Sequence, residues 1–240
     1  MNLCIDIGNS RIKIGLFLDK KLVEQCVWHD WTVDRIVEFG KQHGAQKVLF
    51  SSVIQPDPSF ERCLRDNFHT LELTTETTVP FENHYTTPKT LGKDRLAAVA
   101  GAQALFPNEN NLVIDCGTCI KYDLITADGV YLGGNIAPGA IMRLQAMHHF
   151  TARLPEVTMA MPEFFIGNST TTALQNGALR GACLEITGFI GLFEHQYPPL
   201  NVVLTGGDAL FFEPNLALSK GATVPDLTLY GLNHILIFNT

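Results

Sequence analysis

The chain has 240 residues, of which 46% are apolar and 17% are charged, and its formal net charge is −7 at pH 7. Such a composition is typical of a folded globular protein, and the length suffices for one large domain or for two of about 110–120 residues. The acidic balance disfavours a nucleic-acid partner, and because no run approaches about 18 uncharged apolar residues, we also expect no membrane-spanning helix.

The N-terminal residues and the cysteines favour a cytoplasmic protein. Asp6 follows only five residues, with no basic segment before it, so we expect no signal peptide. The six cysteines are scattered through apolar stretches, as is typical of buried reduced thiols. Cys116 and Cys119 form a C-x-x-C pair, but no second pair and no thioredoxin-like helix start accompany it, which disfavours zinc binding and redox chemistry.

The first part of the chain predicts a mixed sheet with helical cover. Strands are predicted over 2–8, 12–18, near 21–28, 47–53 and 70–73. Helices are predicted over 32–42, where Thr32 is a good N-cap, and over 60–67. Residues 79–93 show no periodicity and are predicted to form a loop.

A similar order of elements follows an alanine-rich helix predicted over 94–106. Strands are predicted over 111–116, 119–126, 130–133 and 201–204, and helices near 140–149 and over 170–195. This pattern predicts an α/β protein of two similar halves, divided into domains at 1–110 and 111–240.

The same short motif ends the first strand of each half. Asp6-Ile-Gly8 and Asp115-Cys-Gly117 each follow an apolar strand and precede a polar turn. The glycines let a phosphate group approach the backbone, and the aspartates can hold a hydrated cation beside it. One copy alone is equally consistent with a hairpin and an incidental aspartate. The second copy, at domain-scale spacing, favours a nucleotide between two halves and therefore phosphoryl transfer.

Two further segments leave alternatives open. Gly206 and Gly207 follow a buried strand, where they form either an ordinary turn or a bare backbone surface for adenosine. Asp94 and Arg95 open the alanine-rich helix. Either Asp94 only stabilises the helix start, or it accepts the proton of an attacking hydroxyl while Arg95 pairs with an anion.

The helix predicted over 170–195 carries apolar residues on more than one face. A helix that is apolar all round needs burial on both sides, and Gly177, Gly181 and Ala182 would let another element approach closely. This helix is therefore the predicted interface of a homodimer.

Together the motifs resemble those of the type III pantothenate kinases, which belong to the actin-like (ASKHA) superfold. The resemblance runs nearly from end to end of the chain. It is carried by Asp6-x-Gly8-Asn9-Ser10-x-x-Lys13, Tyr85-x-x-Pro88-x-x-x-Gly92-x-Asp94-Arg95, Asp115-x-Gly117-Thr118, Gly133-Gly134-x-Ile136-x-Pro138-Gly139, Gly167-x-x-Thr170 and Thr205-Gly206-Gly207-Asp208.

The resemblance implies two similar RNase H-like domains of the actin type, each a mixed β-sheet flanked by helices. It also implies ATP-dependent phosphorylation of the primary hydroxyl of pantothenate to 4'-phosphopantothenate, the first step of coenzyme A biosynthesis. Such kinases are homodimers that need Mg²⁺ and a monovalent cation, K⁺ or NH₄⁺.

The resemblance also implies a role for individual residues. Asp94 is the implied catalytic proton acceptor, and Asp115 is the implied ligand of the monovalent cation. The implied ATP-binding residues are Asp6, Ile7, Gly8, Asn9, Ser10, Arg11, Ile12, Lys13 and Thr118. The implied pantothenate-binding residues are Tyr85, Gly92, Lys93, Asp94, Arg95 and Thr170.

One stretch departs from the family pattern, because Cys119-Ile120-Lys121 stand where alanine, a variable residue and threonine are usual. If Lys121 faces the site, it places a positive charge near the monovalent cation. If it points away, nothing changes.

Two other functions remain as alternatives. A non-catalytic nucleotide-binding accessory or regulatory relative is disfavoured because Asp6, Asp94, Arg95 and Thr170 are all present. A sugar or acetate kinase of the same superfold is disfavoured by the short chain and by the segment from Tyr85 to Arg95.

Overall fold

A computed structural model describes residues 1–8, 11–54, 57–216, 218 and 220–240. The strands among these residues are β1 (Asn2–Ile7), β2 (Ile12–Leu18), β3 (Lys21–Trp28), β4 (Lys47–Ser52), β5 (His69–Glu72), β6 (Glu82–Asn83), β7 (Asn110–Cys116), β8 (Cys119–Ile125), β9 (Val130–Pro138), β10 (Leu200–Thr205) and β11 (Gly221–Thr223). The α-helices are α1 (Val33–Gln42), α2 (Pro58–Asn67), α3 (Lys93–Leu105), α4 (Ala140–His149), α5 (Thr170–Gln175), α6 (Gly181–Gln196), α7 (Ala209–Phe212) and α8 (Leu227–Phe238).

The first compact unit comprises residues 1–108, 127–132 and 226–240. Its five-stranded sheet has the order β3-β2-β1-β4-β5. β1 is antiparallel to β2 and parallel to β4, and β4 is parallel to β5. Within the same unit, β6 pairs in parallel with the start of β9.

The second compact unit comprises residues 109–126 and 133–225. Here β7 is antiparallel to β8 and parallel to β10, which is parallel to β11. These four strands therefore repeat the arrangement of β2, β1, β4 and β5. The prediction of two similar halves, each with a mixed sheet flanked by helices, is confirmed. The predicted boundary at 110/111 lies two residues from the change of unit at 108/109, and the structure also assigns two later segments to the first unit.

Alternation along β1 separates the two sides of the first sheet. Leu3, Ile5 and Ile7 lie in one apolar cluster with residues of α1 and α2. Cys4 lies in a different cluster, with residues of α3 and α8. Because neighbouring side chains on a strand point to opposite faces, Asp6 lies on the same face as Cys4.

Most of the predicted elements are present, with small changes at their ends. Thr32 caps α1 as expected, and its side chain accepts a hydrogen bond from the Arg35 N–H at 3.3 Å. The long helix predicted over 170–195 is interrupted by a π-helical turn at Asn176–Arg180, between α5 and α6. β9 extends five residues beyond the predicted 130–133.

The sequence pattern predicts no element after residue 204, whereas the structure forms α7, β11 and α8. Helix α8 was missed because it is apolar on nearly every side and lacks the period that marks an amphipathic helix. It packs against α3, where Gly101 and Gly231 let the two backbones approach. Among the described residues, no helix has the length and apolarity required to cross a membrane.

We expect Gly231→Ala to destabilise the first unit. An added Cβ atom at residue 231 would overlap the Ala97 carbonyl oxygen and would lie 2.8 Å from the Gly101 nitrogen. Because both neighbours are backbone atoms in packed helices, the free energy of unfolding should fall by at least about 2 kcal/mol. Urea denaturation measures this change. Thr228→Ala, at a half-exposed position of the same helix, should change it by less than about 1 kcal/mol, and equal effects of the two variants would contradict the close approach.

Candidate active site

The first predicted phosphate turn closes a hairpin at the end of β1. The Gly8 N–H donates a hydrogen bond to the Arg11 carbonyl oxygen at 3.0 Å. The strand register places Asp6 directly opposite Lys13. Asn9 and Ser10, which were predicted to bind ATP, lie outside the described residues. The hairpin therefore presents one carboxylate and one ammonium side chain at its base.

Two of the residues predicted to bind ATP have buried apolar side chains. Ile7 and Ile12 are fully buried in the apolar cluster beneath α1 and α2. Their side chains are therefore not placed to contact a phosphate. Arg11, in contrast, is exposed at the far side of the turn.

Asp6 has a polar neighbour that the sequence analysis did not single out. Ser51 on β4 stands beside Asp6 in the parallel register, so the two side chains share a face of the sheet. Its hydroxyl oxygen is buried and has no hydrogen-bond partner among the described residues. A buried polar atom of this kind calls for an explanation, and a polar ligand at Asp6 would supply a partner.

The predicted proton acceptor, Asp94, lies in the first turn of α3. Gly92 is the N-cap residue, so Asp94 is not the cap itself. The Asp94 carboxylate accepts a hydrogen bond from the Arg95 N–H at 3.0 Å. An added Cβ atom at residue 92 would overlap Asp94 Oδ1, so this carboxylate position requires the glycine.

Arg95 is a buried cation at the same helix start, with only 4% of its surface exposed. Its guanidinium lies over the Tyr85 ring at 5.3 Å, and Nη1 donates to the Tyr85 hydroxyl at 3.5 Å. The Tyr85 ring in turn stacks on Tyr131. Lys93, also predicted to bind substrate, forms an ion pair with Glu72 at 3.1 Å. The structure thus brings Tyr85, Arg95 and the Asp94 backbone together.

The second phosphate turn, at Gly117 and Thr118, is held against the start of α4. The Gly139 N–H donates a hydrogen bond to the Thr118 carbonyl oxygen at 3.1 Å. An added Cβ atom at residue 139 would overlap the carbonyl oxygen of Gly117, so the close contact depends on glycine. Thr118 itself is exposed, with its side chain accessible to a ligand.

Asp115, just before this turn, is surrounded by three other groups of the second unit. Lys121 Nζ lies 2.6 Å from Asp115 Oδ2. The other oxygen, Oδ1, faces Gly206, whose positive φ of 93° and lack of a Cβ atom both permit the contact. The Asp208 N–H donates to the Cys116 carbonyl oxygen at 2.9 Å, which fixes the loop after β10 on the turn.

The electrostatic surroundings of Asp208 were not anticipated. Burial first, and then the nearby Asp115 carboxylate, raise the pKa of Asp208 above its usual range. From the sequence, the Gly206-Gly207 turn is either an ordinary turn or a backbone surface for adenosine. In the structure Gly206 is packed against Asp115, and adenosine binding at this turn stays a prediction. The parallel pairing of β7 with β10, which aligns Asp115 with Thr205, is what brings Asp208 close.

Thr170 lies in a different part of the second unit, at the first residue of α5. Ser169 caps this helix and exchanges hydrogen bonds with Thr172. A cavity of about 650 Å³ is lined by Met147, Leu154, Gly167, Asn168, Ser169, Thr170, Ala173 and Leu174. Thr170 is therefore accessible to a small molecule.

The two cysteines of the C-x-x-C pair lie on opposite faces of the sheet. All six cysteines are free thiols. Cys116 pairs with Ile120 in the β7–β8 register, so the adjacent Cys119 side chain points to the opposite face of the sheet. Within the described residues, no group of three or more histidine, cysteine, aspartate or glutamate side chains could hold a metal ion.

Solved structures define the class of fold. A Campylobacter jejuni protein described as a conserved member of the Baf family of transcriptional activators has a TM-score of 0.62 and 23% identity, over 99% of this chain and 98% of that one. A ROK hexokinase from Thermus thermophilus has a TM-score of 0.51 and 13% identity, again over 99% and 98%. At these identities the likeness shows the fold alone, which is the ASKHA-type fold of sugar and actin-family kinases.

Sequence comparisons then give the family. The model of the type III pantothenate kinases matches residues 2–191. The type III pantothenate kinase of Phocaeicola vulgatus is 43% identical over 242 residues, covering 100% of this chain and 99% of the relative. That of Christiangramia forsetii is 40% identical over 242 residues, with the same coverage. The chain belongs to the type III pantothenate kinase family, which confirms the resemblance found in its motifs.

We expect the Cys116 thiol to be unreactive in the native protein. Burial, and after it the carboxylates of Asp115 and Asp208, raise the pKa of Cys116 to about 12. At pH 8 only about one molecule in 10⁴ would then carry the reactive thiolate, and this fraction rises with pH. Iodoacetamide labelling followed by mass spectrometry measures the reaction. The same labelling after unfolding in urea is the control, and rapid native labelling at pH 8 would contradict the prediction.

Proposed function

We propose that this chain transfers the terminal phosphoryl group of ATP to the primary hydroxyl of pantothenate, giving 4'-phosphopantothenate in the first step of coenzyme A biosynthesis. Membership of the family supports the reaction. The roles of individual residues are assigned mainly from one observation at the start of α3: Asp94 is next to the buried Arg95, whose guanidinium lies over the Tyr85 ring. The reduced cysteines are consistent with action in the cytoplasm, which we propose as its location.

Phosphoryl transfer depends mainly on positioning and on the stabilisation of charge on the phosphate oxygens. We propose that the backbone N–H groups of the turn after Asp6 bind ATP phosphates, with Lys13 neutralising part of their charge. Thr118, exposed on the second turn, is the other proposed ATP contact. Glycine at both turns leaves the backbone accessible at these points.

A half-buried carboxylate at the end of β1 fits a hydrated Mg²⁺, which prefers oxygen ligands and retains several waters. Asp6 would hold this ion, and the unpartnered hydroxyl of Ser51 beside it is a further oxygen donor on the same face. The ion supplies positive charge to the phosphates of ATP.

The residues proposed to act on pantothenate lie mainly at the start of α3. Asp94 would accept the proton of the pantothenate hydroxyl as that hydroxyl attacks the phosphorus atom. Arg95, held in place by Tyr85, would pair with the pantothenate carboxylate, because a guanidinium binds a carboxylate with two parallel hydrogen bonds. Gly92, Lys93 and Thr170 stay proposed substrate contacts, and the ion pair of Lys93 with Glu72 gives that residue a structural role as well.

The monovalent cation implied at Asp115 does not fit the residues present here. One carboxylate oxygen already faces the Lys121 ammonium, and the other faces Gly206. A K⁺ or NH₄⁺ ion at this carboxylate would lie against a like charge. No step of the proposed reaction is therefore assigned to such an ion.

We propose that the protein acts as a homodimer through α6. Ala182, Cys183 and Ile186 form its buried face. On the opposite face Leu184 and Leu192 are 70% and 68% exposed, which is unusual for leucines of one helix. Four glycines lie along α6 and the turn before it, and an added Cβ atom at any of them would meet nothing within 4 Å: Gly177, Gly181, Gly188 and Gly191. An apolar stripe of small residues suits close packing against a second copy.

Asp94→Asn should abolish most turnover. The asparagine oxygen can still accept the hydrogen bond from the Arg95 N–H but cannot take up the hydroxyl proton. We expect kcat to fall by about 10²–10⁴-fold with the KM for ATP nearly unchanged. A coupled assay of ADP release with pantothenate measures both constants.

Asp34→Asn is the matched control, since Asp34 is an exposed acid in the first turn of α1. It should leave kcat within about twofold of the unsubstituted protein. Wild-type turnover in Asp94→Asn would contradict the role of Asp94. ATP binding without any pantothenate-dependent ADP release by the unsubstituted protein would favour a non-catalytic relative instead.

Gly181→Leu should weaken the proposed dimer without unfolding the chain. An added Cβ atom at residue 181 would meet nothing within 4 Å in the single chain, so we expect the effect mainly where a second copy packs. Sedimentation velocity should show a shift from dimer to monomer at assay concentration. Arg62→Leu adds the same side chain to an exposed position of α2 and should leave association unchanged. An unsubstituted protein that sediments as a monomer would contradict the proposal.

A further inference from the structure

Lys121 and Asp115 form a largely buried ion pair in the second unit. The side chains are 16% and 23% exposed, and Lys121 Nζ lies 2.6 Å from Asp115 Oδ2. Charge-assisted hydrogen bonds in proteins are about 2.7–2.9 Å long, so this is a direct contact with no room for an intervening ion. The carboxylate is therefore already neutralised by a group of the chain itself.

The strand register explains why Lys121 faces the carboxylate. β7 and β8 place Asp115 directly opposite Lys121, so both side chains lie on the same face of the sheet. The first unit has the same pairing, with Asp6 opposite Lys13. Lys121 is thus the counterpart of Lys13 in the repeated strand pair, although the first hairpin has one more residue in its turn.

Other groups close to Asp115 also favour the closed ion pair. The Gly206 backbone lies close to Oδ1, and the Cys116 carbonyl oxygen accepts a hydrogen bond from the Asp208 N–H, which holds the loop after β10 in place. Asp208 is a second acidic group close to Asp115. The positive charge of Lys121 therefore reduces the repulsion between these two carboxylates. Removing one member of a buried ion pair leaves the other charge uncompensated, which is strongly unfavourable.

We propose that the Lys121 ammonium is a built-in cation at Asp115, and that turnover by this chain therefore requires no monovalent cation. The ammonium places the same unit positive charge beside the carboxylate as K⁺ or NH₄⁺ would. Because Lys121 is part of β8, no free ion has to leave water and bind. The turnover part of this inference rests on the proposed kinase function. The cation-binding part depends only on the geometry of the second unit.

The test compares Na⁺, K⁺ and NH₄⁺ as chlorides at equal ionic strength. The unsubstituted protein should turn over pantothenate at rates within about twofold in all three salts, because no binding step distinguishes them. Lys121→Met removes the ammonium and keeps an unbranched side chain of similar length. In Na⁺ its kcat should fall by about 10²-fold, the usual loss when one electrostatic contact of a site is removed, and K⁺ or NH₄⁺ should restore most of it.

Thermal unfolding supplies a readout that does not depend on catalysis. K⁺ in place of Na⁺ should leave the Tm of the unsubstituted protein unchanged and raise the Tm of Lys121→Met, since only the variant has a vacant carboxylate. Lys220→Met is the matched control, because it deletes the ammonium of another ion pair of the same unit, that with Glu109. This variant should behave like the unsubstituted protein in every salt.

Each outcome bears on the proposal. Strong K⁺ activation of the unsubstituted protein, or a K⁺-specific rise in its Tm, would overturn it. So would full activity of Lys121→Met in Na⁺ without any K⁺-specific change in Tm. If no salt supports pantothenate-dependent turnover, the kinase function fails, and the Tm comparison still decides whether Lys121 replaces the cation. If Lys121→Met does not fold, Lys121→Gln serves in both measurements.

Discussion

The parallel pairing of the two central strands in each unit is the constraint on which the candidate site depends. β1 pairs with β4, and β7 with β10, so the carboxyl ends of neighbouring strands meet at one edge of each sheet. Polar residues that are far apart in the sequence therefore lie side by side at these strand ends: Asp6 beside Ser51, and Asp115 beside Thr205. A glycine lies two residues after each aspartate, at the turn where the antiparallel partner strand begins.

Close backbone contacts then hold these strand ends in place. The backbones of Gly206 and Gly139 pack closely against the second turn, and Gly92 leaves room for the Asp94 carboxylate at the start of α3. In each case a Cβ atom would overlap an oxygen. The motif glycines therefore act mainly through packing around the charged groups, in addition to any direct approach by a phosphate.

The distribution of charge distinguishes this chain from the family pattern. Both strand-end aspartates have a lysine opposite them in the antiparallel partner strand. In the first unit the half-buried Asp6 and Lys13 stand at the hairpin proposed to bind ATP phosphates. In the second, Lys121 forms an ion pair with Asp115, and the neighbouring Asp208 has a raised pKa. The same local geometry is therefore proposed to serve a metal–phosphate role in one unit and an internal charge balance in the other.

The sequence by itself determined most strands, the amphipathic helices, the two Asp-x-Gly turns and the family, because these depend on local periodicity and on residues close together in the chain. Helix α8 escaped prediction since a helix buried on nearly every side has no polar face to mark its period. The sequence left open whether Lys121 faces the site, and the β7–β8 register decided it. Tertiary structure alone also decided the burial of Arg95 over Tyr85, the ion pair of Lys93 with Glu72 and the return of residues 226–240 to the first unit, because each depends on contacts between segments distant in the chain.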